Sequence, residues 1–127
     1  MARIIVSGLE LTIPKAEERL RISGPYTGDT FLGSELIAKD CVVGNFVYQE
    51  NTGFLFFVKY HDLNYFTINF YDVNNKKEYE FDRQFSIVHI GDFVSDTKLQ
   101  IYPAFHAEFK NIVQIFDFDQ ENFTLVE

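Results

Sequence analysis

Apolar and polar residues alternate with a period of two along much of this chain, the pattern of strands with one face in a core. Residues 65–72 place Phe66, Ile68 and Phe70 on one face and Thr67 and Asn69 on the other. Residues 77–82 turn Tyr79 and Phe81 inward and leave Glu78, Glu80 and Asp82 for water. Between the strands predicted at 45–49 and 54–61 lies Glu50-Asn51-Thr52-Gly53, where glycine supplies the positive φ of a tight turn. Phe54-Leu55-Phe56-Phe57-Val58 is apolar on both faces. Such a strand is either buried on two sides or presents its second face to a partner or ligand.

The four-strand plan recurs. Gly44-Asn45-Phe46-Val47 returns as Gly91-Asp92-Phe93-Val94, and Thr52 to Asn75 lies on Thr97 to Gln120 without a gap, placing His61 on His106 and Asp72 on Asp117. The predicted strands of the second copy are 92–95, 99–106, 111–117 and 123–126. Residues 103–116 also fit a helix, with Phe105, Phe109, Ile112, Val113 and Phe116 on one side and Pro103 at its start. The partner segment, 58–71, has no such stripe, and this decides for strands.

Residues 1–43 match the repeat poorly but hold candidate strands at 3–7, 9–13, 19–23 and 32–38, with 14–18 as an alternative single helical turn. The expectation is one all-β domain over 1–127, built from antiparallel four-stranded repeats of about 45 residues. A degenerate copy spans 1–43, and two clearer copies span 44–90 and 91–127. Three such units suggest a β-trefoil-like barrel, ahead of propeller-like blades or a β-sandwich.

Composition supports sheet: 15 Phe and 7 Tyr suit a pleated, half-buried surface. Cys41 is the only cysteine and stands beside Val42 and Val43, so a buried thiol is expected, with no internal disulfide and a cytoplasmic setting. No stretch is apolar enough for a membrane span. The formal charge of −8 repels a phosphate backbone and argues against nucleic acid, while favouring a basic protein partner.

Catalytic grammar is sparse, and neither a metal nor a cofactor is expected. There is no Cys-His spacing for zinc and no Gly-x-Ser-x-Gly elbow. Gly24-Pro25-Tyr26-Thr27-Gly28 reads as a turn, since proline removes a donor that a phosphate loop needs. Asp117, Asp119 and Glu121 alternate with apolar residues as a solvent face does, and lack the glycine of a calcium loop. Tyr65, Tyr71 and Phe116 fall opposite the inferred core. The chain is therefore expected to be a non-enzymatic protein-binding domain, in one version an acidic inhibitor or immunity-type protein covering a basic site. The candidate contact residues are Asp72, Asp117, Asp119, Glu121, His61, His106, Tyr65 and Tyr71. A small-ligand or carbohydrate-binding domain, with equivalent pockets around Asp72 and Asp117, and a structural or oligomerisation module are the alternatives.

Overall fold

The computed structural model describes residues 1–18, 25–62, 65–103 and 113–127, and its regular structure is antiparallel strand throughout. The strands are β1 (Ala2–Val6), β2 (Leu9–Ile13), β3 (Glu17–Glu18), β4 (Tyr26–Leu32), β5 (Glu35–Gln49) and β6 (Phe54–His61). They continue with β7 (Tyr65–Asp72), β8 (Lys77–Phe85), β9 (His89–Ser95), β10 (Lys98–Tyr102), β11 (Gln114–Asp117) and β12 (Phe123–Leu125). One sheet runs β1-β2-β4-β5-β6-β7-β8-β12, with β3 paired to β4. A second sheet runs β11-β10-β9.

The expected barrel does not close among the described residues: the long ladder is open, with β1 and β12 at its two ends. The two aligned copies also pair differently. β5 to β8 form a meander inside the large sheet, whereas β9 to β11 form a sheet of their own and β12 leaves to pair with β8.

Turn chemistry sets the hairpins. Ser7 and Gly8, both at positive φ, make the two-residue turn whose twist matches β1 and β2. Gly53, at φ 77, closes the turn between β5 and β6 as its sequence predicts, its N–H donating to Gln49 O at 2.9 Å. β5 is long because it bends: Asp40 (φ 55) and Gly44 (φ 86) accompany a register break against β6 between Cys41 and Phe46. Its first half pairs with β4 and its second with β6.

Several N-terminal expectations change. The segment 24–28, read as a turn, enters β4 at Tyr26. Gly28 is needed there because a Cβ would meet Ile13 Cγ2 and the Lys15 carbonyl oxygen at 2.5 and 2.6 Å. The strand expected at 32–38 is divided by the turn at Gly33-Ser34. Residues 14–18 form no helical turn, since Glu17 and Glu18 pair with β4. The strand expected at 19–23 lies outside the described residues, as does most of the 103–116 segment. Its described end, β11, is extended.

Two cores share β6 as a wall. Phe56 and Val58 face the small sheet, packing with Phe66, Phe81, Leu99, Ile101 and Phe116, and the Phe56 ring lies 5.5 Å from that of Phe93. Leu55 and Phe57 face the other way, onto Leu11, Ile37, Ala38, Cys41 and Tyr71 beneath the N-terminal strands. The two apolar faces of 54–58 are thus both filled within the chain, each fully buried side chain contributing roughly 1.5–3 kcal/mol. Tyr71 is likewise buried rather than displayed, because the face opposite the first core is covered by a second one, and Phe116 is buried because β11 turns it into the first core and leaves Val113 and Ile115 exposed. Hydrogen bonds tie the small sheet and its turn to β5: Ile90 N–H to Asn45 Oδ1 at 3.0 Å, Asn45 Nδ2 to His89 Nδ1 at 3.5 Å, and Gln49 Nε2 to Asp96 O at 2.8 Å.

Candidate functional site

Where the second core ends, the same face of β6, β7 and β8 carries a run of polar side chains brought level by strand register. Lys59 lies opposite Thr67, His61 opposite Tyr65, and Asn69 opposite Glu80, while Glu78 lies opposite Tyr71. Thr67 and Asn69 are almost fully buried, and the side chains of Glu78 and Lys59 are only 10% and 13% exposed. Glu78 and Glu80, expected to face water, instead turn onto this covered face.

Buried polar groups must be paired, and the pairing fixes a direction. The Thr67 hydroxyl donates to Asn69 Oδ1 at 2.7 Å, so it accepts from His61 Nε2 at 2.9 Å, which therefore carries a proton. That N–H also faces Glu80 Oε1 at 3.1 Å. Asn69 Nδ2 donates to Glu78 Oε2 at 2.8 Å and to Glu80 Oε1 at 3.4 Å, and Lys59 Nζ donates to Glu78 Oε2 at 3.2 Å. With neutral His61 the group holds one ammonium against two carboxylates. The His61 ring is stacked on Tyr65, centroids 4.4 Å apart and planes 4° from parallel.

Beside this ladder, a cleft of about 580 Å³ opens between the first half of β5, the β7–β8 turn and the end of β12. Lys59, Glu78 and Tyr71 line it, together with Lys39 and the exposed ion pair Lys76–Glu35, 2.9 Å apart. The Tyr71 hydroxyl is raised above its usual range, first by burial and then by Glu35. Cys41, opposite Lys59 on β5, is fully buried, and burial pushes its thiol up to about 12. A thiol so placed stays protonated and is no nucleophile at neutral pH. The Thr67 hydroxyl at the centre of the ladder is sealed from solvent.

The residues singled out from sequence scatter. Asp72 turns back on its own turn, accepting from Asn74 N–H, Asn75 N–H and Asn75 Nδ2 at 3.1, 3.2 and 2.6 Å. Asp117 is half-buried at the end of β11, with Oδ1 enclosed and unpaired. Glu121 faces Arg83 at 4.0 Å, and Asp119 is exposed. His61 and Tyr65 meet in the ladder, Tyr71 lines the cleft, and His106 lies outside the described residues. The surroundings of Asp72 and Asp117, expected to be equivalent, differ: one carboxylate is bonded within its own turn and the other has an enclosed, unpaired oxygen.

Sequence reasoning missed Lys59, Thr67, Asn69, Glu78 and Glu80. The signal available was the hairpin register, which sets Asn69 opposite Glu80 once the Asp72–Lys77 turn is fixed. Among the described residues no three His, Cys, Asp or Glu side chains gather as a metal would require, and no helix is long and apolar enough to cross a membrane. Comparison with protein families, with characterised proteins and with solved structures gives no match to the chain.

Proposed function

We propose that the chain is a non-enzymatic protein-binding domain whose contact surface is β11, β12 and the turn joining them. The observation that carries this reading is a concentration of exposed apolar side chains on two edge strands. Ile115 is 47% exposed, Phe123 48% and Leu125 46%, with Val113 beside them at 42%. Each of these strands has one paired edge among the described residues, β11 on β10 and β12 on β8. Unpaired strand edges and apolar side chains flanked by polar groups are the surfaces to which partners add.

Asp119 and Glu121 stand in the turn between these strands, and the chain as a whole is strongly acidic. Charge complementarity then favours a partner with a basic rim around an apolar centre, as an inhibitor or immunity-type protein would meet on its target. The oligomerisation alternative loses its main ground, because the second face of 54–58 is filled from within.

The test is capture of partners from the host lysate at low salt by the wild-type chain and by Ile115→Lys and Asp119→Lys. Both side chains are exposed, so stability should change by no more than about 0.5 kcal/mol. A single basic protein retained by the wild type, released by high salt and lost from both variants is the expected result. Equal retention by the variants removes this surface from the interface, and an empty capture overturns the protein-binding reading.

A further inference from the structure

We propose that the cleft between β5, the β7–β8 turn and the end of β12 binds a small amphipathic anion, a phosphate or carboxylate carried on an apolar body. Three independent features of the cleft lead there. The first is charge. Lys39, Lys59, Lys76 and Lys77 line it beside Glu35, Glu78 and Glu127, four ammonium groups against three carboxylates in a chain of net charge −8. The pairs Lys59–Glu78 and Lys76–Glu35 offset one another, which leaves Lys39 and Lys77 against Glu127, and charges beyond about 8 Å are screened at physiological ionic strength.

The second is unspent hydrogen-bonding capacity. Lys59 has three N–H donors, its side chain is 13% exposed, and its bond is to Glu78 Oε2 at 3.2 Å. A nearly desolvated ammonium with donors to spare is costly unless something accepts from them, and an anionic oxygen in the cleft would do so. Lys39 is exposed on the rim and has no carboxylate partner among the described residues, whereas Lys76 is held by Glu35 at 2.9 Å. Lys59 is therefore the primary anion contact and Lys39 the second charge.

The third is shape. The cleft volume, about 580 Å³, falls in the range of small-ligand sites, and Leu36, Ile37, Leu125 and Val126 supply apolar walls beside the Tyr71 ring. Glu78, sharing Lys59 with the ligand, disfavours dense polyanions and selects a single anionic group with an apolar remainder. The cleft shares Leu125 with the protein contact at β11 and β12, but its test reads lysine-dependent binding of a small anion and so can fail separately.

The experiment is a nitrogen-proton correlation NMR titration of the full chain with phenyl phosphate, with phenylacetate and with inorganic phosphate. A Kd on the order of 1 mM is expected for one or both aromatic anions, as suits a fragment of this size. Saturable shifts should centre on the amides of 35–39, 59, 76–78 and 125–127. Whichever of the first two binds tighter names the anionic group, and inorganic phosphate, lacking the apolar body, should bind at least fivefold more weakly. Lys39→Glu, at an exposed position, should weaken binding at least fivefold, and Lys59→Met more. Lys98→Ala, at an exposed position on β10 away from the cleft, should leave it unchanged. Absence of saturable shifts with both aromatic anions, or an affinity indifferent to Lys39→Glu, overturns the proposal.

Discussion

Replacing Asn69 with leucine tests whether the polar ladder holds β6, β7 and β8 together. Asn69 is fully buried and makes three bonds: it accepts from Thr67 and donates to Glu78 and Glu80. Leucine fills nearly the same space, so the loss is of pairing rather than of volume. The Thr67 hydroxyl, 1% exposed, is left without its acceptor at a cost of about 1–2 kcal/mol. Glu78 keeps Lys59 but loses a neutral donor in a nearly desolvated position, about 1–2 kcal/mol more. Glu80 keeps His61 and, at 27% exposure, regains water, so its share is small. Burial of the leucine returns about 1 kcal/mol. The net loss is about 1–3 kcal/mol, on the order of a 5- to 150-fold fall in the folding equilibrium, and a Tm lower by about 3–12 °C for a chain of this length. Urea unfolding followed by far-ultraviolet circular dichroism reads it as a lower midpoint at unchanged slope. Adding Thr67→Val removes the orphaned hydroxyl and should recover about 1 kcal/mol, a coupling between the two sites. A loss under 0.5 kcal/mol for Asn69→Leu, or strict additivity in the pair, would refute the reasoning.

Three further outcomes follow from the same geometry. Burial raises the Cys41 thiol from its ordinary 9.0 to about 12, so the folded state favours the protonated form. The associated stability is complete below pH 9 and is lost as pH rises toward 12, by up to about 4 kcal/mol, so unfolding curves of Cys41→Ala should fall less steeply over that window. Gly53→Ala puts a Cβ 2.5 Å from Asn74 Nδ2 at φ 77, and thermal unfolding should show a loss of about 1–2 kcal/mol; an unchanged Tm would remove the role given to that glycine. Asp72→Ala strips three acceptor contacts from the β7–β8 turn and should cost about 1–2 kcal/mol, whereas Asp119→Ala should cost no more than about 0.5. Equal effects of the two would restore them to a common role.

Strand content and the central hairpins were legible because alternation and turn residues are local signals. The bounds of β2, β6 and β7 match the pattern, and Gly53 marks its turn. β4 was hidden by Pro25 and Gly28, which read as turn formers. Gly28 serves instead the close approach of Lys15, a contact between segments that no local window contains. The barrel inference failed for a related reason, since similar strand cadence in two segments does not say which sheet each joins. Tyr71 was misplaced because a one-core picture assigns everything opposite Phe70 to water, and Phe116 because the repeat alignment gave β11 the wrong inward face. The same assumption concealed the ladder: Glu78 and Glu80 look like solvent residues until a second layer covers their face.

The shared wall also changes how β6 finds its pairing. In most strands, sliding the ladder by one residue throws apolar side chains into water, and that penalty alone protects the alignment. From Phe54 to Val58 it cannot, because both sides are equally oily and the slipped hairpin would bury as much as the correct one. What distinguishes the two is the far end of the strand. A slide by one would set Lys59 opposite Ile68 or Phe66 on the face of the first core, stranding an ammonium among apolar side chains and leaving Glu78 without it. Lys59 and His61 thus act as a key cut into an otherwise symmetrical blade. A variant with the whole ladder made apolar could keep its melting temperature and yet lose the single alignment, showing doubled resonances and a tendency to cross-pair between molecules.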